Sequence, residues 1–137
     1  MGLDPPCDLC PARCCRYVSA KIAPPRSATA IDRIRRCLDH DNIRVFVDWS
    51  GGWYVEFLTP CRNLSRNRCS DYARRPKLCR VHGTYGVATC EYFESPYRHL
   101  WETTRDFDRW LSRKRRRSGT RSQVTVIPCG TTHGGQY

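Results

Sequence analysis

Asn42-Ile43-Arg44-Val45-Phe46-Val47-Asp48-Trp49-Ser50-Gly51-Gly52-Trp53-Tyr54-Val55-Glu56-Phe57-Leu58 carries the clearest structural signal in the chain. Two β-rich runs flank Ser50-Gly51-Gly52, and a Gly-Gly pair supplies the positive φ angles that a tight hairpin turn demands. The stretch therefore reads as a β-hairpin. Val45, Val47 and Trp49 alternate on one strand and Trp53, Val55 and Phe57 on the other, so one face of the hairpin is apolar and needs a cover.

Two helices are expected to supply that cover. Before the hairpin, Thr29 with Asp32 fits a capping box, and Ile31, Ile34 and Leu38 fall on one helical face, with Cys37 beside them as a small buried thiol. After it, Ser95-Pro96 has the form of a cap and first helical residue. Tyr97, Leu100, Trp101, Thr104, Phe107 and Leu111 then form a stripe at helical spacing. Gly119 is the expected stop, after a run of cations that suits the negative end of the helix dipole. The segment from Arg16 to Pro24-Pro25-Arg26 reads as an extended connector. Residues 118–137 read as a tail, in which Val124 to Ile127 could add a short strand.

The chain has 137 residues of which 39% are apolar, enough for one modest core and too few for two domains. The expected fold class is thus a small single α+β domain spanning residues 1–117, a hairpin packed by two helices. The net charge is +11, which favours polyanionic or acidic partners as a class. No run approaches the ~18 apolar residues of a membrane span, and the N-terminal residues lack the basic and apolar regions of a secretory signal. The expected compartment is the reducing cytoplasm. No phosphate-binding glycine loop, nucleophile elbow or dinucleotide fingerprint is present, so nucleotide hydrolysis, serine chemistry and NAD chemistry have no support.

Ten cysteines dominate what remains. Cys7, Cys10, Cys14 and Cys15 crowd one short stretch, and Cys7-x2-Cys10 followed by Pro11 has the spacing with which two sulfurs chelate one ion from a single turn. Cys61, Cys69, Cys79 and Cys90 lie in segments rich in Pro, Arg and Asn without hydrophobic periodicity, the look of loops ordered by a metal. In a reducing compartment such cysteines are read as ligands rather than disulfides. Thiolates select zinc, copper(I) or iron–sulfur centres over magnesium and calcium. The four histidines are scattered; only His82, three positions after Cys79, stands near the cysteines.

The N-terminal cluster, then Cys61, then Cys69-x2-Tyr72-x2-Arg75-Pro76-x2-Cys79-Arg80 resembles the CxxCxxCC family of zinc- or iron-chelating proteins, also called the YkgJ cysteine cluster family. The resemblance runs from about Cys7 to Cys90. It implies metal binding, with ligand candidates at Cys7, Cys10, Cys14, Cys15, Cys61, Cys69 and Cys79 and an eighth at Cys90. It also implies a link, by shared domain, to flagellin lysine N-methylases. One departure is visible: three residues, Pro11-Ala12-Arg13, separate Cys10 from the Cys14-Cys15 pair where the family name has two. Tyr72 and Arg75 are candidates for orienting the sulfurs.

The expected function is zinc binding by clustered thiolates in a structural or binding module. An iron or iron–sulfur protein with a redox or protein-lysine-directed role is the alternative. Arg113, Lys114, Arg115, Arg116 and Arg117 fit either a solvated helix end or a patch for nucleic acid or an acidic protein, the second being a further alternative.

Overall fold

The computed structural model describes residues 10–81 and 95–119. A turn at Arg13–Cys15 leads into β1 (Val18–Ile22), α1 (Ala28–Leu38), β2 (Ile43–Val47) and β3 (Trp53–Phe57). A short hairpin of β4 (Leu64–Ser65) and β5 (Arg68–Cys69) follows, then a turn at Tyr72–Arg74, α2 (Lys77–Val81), β6 (His99–Trp101) and α3 (Thr104–Ser118). β1, β3, β2 and β6 form, in that order, a four-stranded sheet that is antiparallel throughout. The result is a small α+β domain.

The hairpin forms with Val45 opposite Val55 and Val47 opposite Trp53. Its loop is longer than a two-residue turn, because Asp48 takes over its organisation. Asp48 Oδ1 accepts from the Ser50 amide at 2.9 Å, the Ser50 hydroxyl at 2.6 Å and the Gly52 amide at 2.8 Å. Only Gly51 has a positive φ, +87°; Gly52 is needed for space, since a Cβ there would lie 2.9 Å from the Tyr54 ring. With the strand ending at Val47, Trp49 leaves the alternation. It is 60% exposed, and its indole N–H donates to the Ser95 carbonyl at 2.9 Å.

α1 begins one residue before the expected box. Its cap is Ser27, whose Oγ accepts from the Ala30 amide at 3.1 Å, and Asp32 turns instead to Arg35 at 2.8 Å. Ile34 and Leu38 are buried as the stripe predicts, with Ile31 and Cys37 packed at the margin.

Two strands replace expected features. The connector after Arg16 contains β1, which pairs along its whole length with β3, Ala20 lying opposite Val55. Its residues are exposed except for the half-buried Ile22, so backbone pairing alone makes it a strand and no alternation marks it. The helix expected from Ser95-Pro96 is corrected more sharply: His99–Trp101 is a strand on β2, and the helix starts only at Thr104. Thr103 is its cap, Oγ1 accepting from the Asp106 amide at 3.2 Å. Tyr97, Leu100 and Trp101 therefore never shared a helical face with Phe107. Trp101 reaches the same core from a strand, and that coincidence produced the stripe.

The core between sheet and helices comprises Ile34, Leu38, Val45, Val47, Trp53, Val55, Trp101 and Phe107. Trp101 sits at its centre, stacked on Trp53 at 5.3 Å and edge-on to Phe107 at 5.2 Å. The opposite sheet face holds Phe46 stacked on Tyr54, and a fully buried Glu56 that accepts from Arg44 Nε at 2.6 Å and from the Tyr97 hydroxyl at 2.8 Å. α3 ends at Gly119 with φ 64°, as expected. The expected strand at Val124 to Ile127 and nearly all of the 118–137 tail lie outside the described residues. Among the described residues no helix is long and apolar enough to cross a membrane.

Candidate metal centre

Three segments bring cysteines toward one end of the sheet. In the first, Ala12 (φ 55°) opens a single 3-10 turn, closed by the Cys15 amide on the Ala12 carbonyl at 3.0 Å, and this turn carries Cys14 and Cys15. In the second, the chain leaving β3 passes directly beside it, the Cys61 amide donating to the Cys15 carbonyl at 2.7 Å. The β4–β5 hairpin then places Cys69 opposite Leu64. Its turn residues Arg66 and Asn67 have φ of 49° and 61°, the pair of positive values a two-residue hairpin requires. Arg16 ties the two segments together: its Nε donates to the Pro11 carbonyl at 3.1 Å, and its Nη2 donates to Asn67 Oδ1 at 2.5 Å.

The third segment is the Tyr72 to Arg80 motif. The turn at Tyr72–Arg74 stops where Arg75 takes an extended ψ of 142° ahead of Pro76, as the residue before a proline prefers. The Arg75 guanidinium lies 3.5 Å from the centroid of the Tyr72 ring, and its Nε donates to the Tyr72 carbonyl at 2.9 Å. Arg80 Nε reaches back to the Arg75 carbonyl at 2.7 Å. Tyr72 and Arg75 thus shape the loop that presents α2, and Cys79 sits on that short helix.

Burial pushes the Cys15 thiol up, a hydrogen bond with the Cys14 side chain works the other way, and the negative charge of Cys61, Cys69 and Cys79 pushes it up further. The charges of Cys61, Cys69 and Cys79 thus act on Cys15 from two other segments. Among the described residues no cysteine forms a disulfide, and Cys14, Cys61 and Cys79 are exposed. Among the described residues no group of three or more Cys, His, Asp or Glu side chains stands close enough to hold a metal ion unaided. These cysteines are thus not a finished coordination shell. Their chemistry does suit a soft ion: every group acting on Cys15 is a thiol, and mutual repulsion of thiolates is what a bound cation removes.

The remaining candidates are placed as follows. Cys10 lies just before the Arg13–Cys15 turn and is half-buried. Cys37 packs against the core on α1, as a structural thiol does. Cys7, Cys90, Cys129 and His82 lie outside the described residues. His40 bonds the Arg36 carbonyl at 2.7 Å, and His99 stacks on Trp101, so neither faces the sulfurs. Arg16 and Asn67 are the residues that sequence reading missed. The only signal for them was Asn67 itself, a residue tolerant of the left-handed region.

No curated protein and no solved structure gives a match to the chain. A family model does: residues 6–97 match CxxCxxCC, described as "Putative zinc- or iron-chelating domain", and this span covers every cysteine of the candidate centre. With about two thirds of its 137 residues inside that match, the chain belongs to the CxxCxxCC family.

Proposed function

We propose that the chain binds zinc through Cys7, Cys10, Cys14, Cys15, Cys61, Cys69, Cys79 and Cys90, enough thiolates for two sites of four, and that the zinc is structural. The observation that carries this reading is a contrast in burial. From residue 58 to residue 80 no residue is buried, and Leu78 is 80% exposed, yet the segment makes turns, a hairpin and a helix of its own. A segment with no core needs another source of order, and thiolate-bound zinc supplies folding free energy directly. Cys14, Cys61, Cys69 and Cys79, each of which acts electrostatically or by hydrogen bond on Cys15, would be among the donors. When bound, zinc would neutralise their charge and draw the loops together. A reducing compartment such as the cytoplasm would keep the thiols available.

Metal and acid-labile sulfide per chain, measured on anaerobically purified protein with a visible spectrum, test this. Stoichiometric zinc in a colourless solution is expected, with zinc falling in Cys15→Ser and unchanged in Cys37→Ser. Brown protein containing iron and sulfide would replace zinc with an iron–sulfur centre, and protein without metal would end the chelation reading.

A further inference from the structure

α1 and α3 lie side by side across the sheet. Arg35 bonds Asp108 at 2.9 Å, and the Thr104 hydroxyl contacts the Arg35 carbonyl at 3.1 Å and Asp39 at 2.7 Å. These contacts fix the helices as antiparallel and define their outer faces. On α3 the residues turned from Phe107 are Arg105, Arg109, Arg113 and Arg116; on α1, turned from Ile34 and Leu38, they are Arg33 and Arg36. All six are exposed.

The acidic residues of this layer are already engaged. Asp32 and Asp108 both pair with Arg35, and Asp106 is bound at the helix cap by Thr103, with Arg109 only at 3.8 Å. Arg35 thus absorbs two carboxylates from the seam between the helices. Among the described residues Arg33, Arg36, Arg105, Arg113 and Arg116 form no ion pair. Lys114, by contrast, turns inward over the Trp110 ring at 5.1 Å.

We propose that this two-helix face binds the phosphate backbone of a nucleic-acid duplex. Arg105 to Arg116 spans about 16 Å at 1.5 Å per residue, with a cation at nearly every turn. A regular row of guanidinium forks matches the evenly repeated anions of a phosphodiester backbone, whatever the base sequence. Among the described residues the face carries no aromatic or large apolar side chain, so they offer neither a stacking platform for bases nor the buried anchor that a protein interface needs. Binding is therefore electrostatic and indifferent to sequence. It does not involve the cysteines, and its failure would leave the metal reading untouched.

The test is fluorescence anisotropy of the full-length, metal-loaded protein with a labelled mixed-sequence DNA duplex, repeated across salt. The slope of log K against log salt is expected at about −4 to −5, as four to six phosphate contacts give. Replacing Arg36, Arg109, Arg113 and Arg116 together by Gln should weaken binding at least about tenfold at low salt and flatten the slope to about −1. Circular dichroism checks that the fold survives. A control with the same charge loss elsewhere, Lys21, Arg26, Arg62 and Arg98 to Gln, should keep most of the affinity. Equal loss in both variants would reduce the effect to net charge and overturn the proposal. So would absence of duplex binding, or tighter binding to poly-glutamate or to anionic vesicles.

Discussion

The molecule has two regions held by different physics. The sheet with α1 and α3 owns every buried residue of the described chain, eight of them in one apolar cluster. The cysteine region, from Cys10 to Arg16 and from Cys61 to Arg80, owns none. Its internal bonds include local turns, guanidinium–carbonyl contacts, the Arg74–Asp71 ion pair, the Arg16–Asn67 bond and a backbone bond between Cys15 and Cys61. Folding free energy from apolar burial scales with area removed from water, so the first region has a source of stability that the second lacks. The comparison teaches that a cysteine-rich region without a core and a conventional apolar core can divide one small chain between them.

The sharpest way to break this comparison is to remove the centre of the core. Trp101→Ala should cost about 3–5 kcal/mol, while Leu78→Ala, at an exposed position of α2, should stay within about 0.5 kcal/mol. Urea denaturation followed by tryptophan fluorescence measures both. Similar losses at the two sites would mean that the cysteine region has a core of its own.

Next in size is the opposite sheet face. Glu56→Gln leaves Arg44, whose side chain is only 20% exposed, with Glu102 at 3.3 Å as its remaining anionic partner. The expected loss is about 2 kcal/mol, because a largely desolvated guanidinium loses its closest charge. Tyr97→Phe, which removes one hydrogen bond from the same carboxylate, should cost about 1 kcal/mol.

Metal removal sharpens the division without touching the core. On exposure to a chelator, trypsin is expected to cut first within residues 61–80, at Arg62, Arg66, Arg68 or Arg74, while the far-ultraviolet signal of the sheet persists. Loss of both regions in one step would show that the core depends on the metal too.

The smallest expected effect concerns the hairpin loop. Burial alone would raise the Asp48 carboxyl, but hydrogen bonds from Ser50, Gly52 and Tyr54 outweigh it and hold the group below its ordinary value. A carboxyl depressed in the folded state stabilises at pH above its unfolded value near 4, and that contribution fades as pH falls through the folded value. Asp48→Ala should therefore cost about 1 kcal/mol at pH 7, and the gap from the parent should close toward pH 3. A gap that is constant with pH would assign the effect to loop geometry instead.

Much of the core was legible because its signals are local. Ile34 and Leu38 repeat at helical spacing within one helix, and Val45, Val47, Trp53 and Val55 alternate within one hairpin. β1 was hidden because its side chains stay in water and only backbone pairing defines it. β6 was misread because Trp101 and Phe107 bury into one core from a strand and a helix, so their spacing imitated a single helical stripe. In the cysteine region the Arg75-Pro76 stop was readable from proline sterics. The bond from Arg16 to Asn67, spanning 51 positions, was not.

What the sequence by itself determined is the kind of protein: a thiol-rich, basic α+β chain whose hairpin, first helix and helix stop follow from periodicity and from glycine. Only the tertiary structure decided which cysteines become neighbours, that Glu56 is buried with Arg44, and that the arginines of two helices share one face. Those outcomes depend on pairings between distant segments, selected by backbone hydrogen bonding and mutual burial. Neither leaves a mark on any one segment.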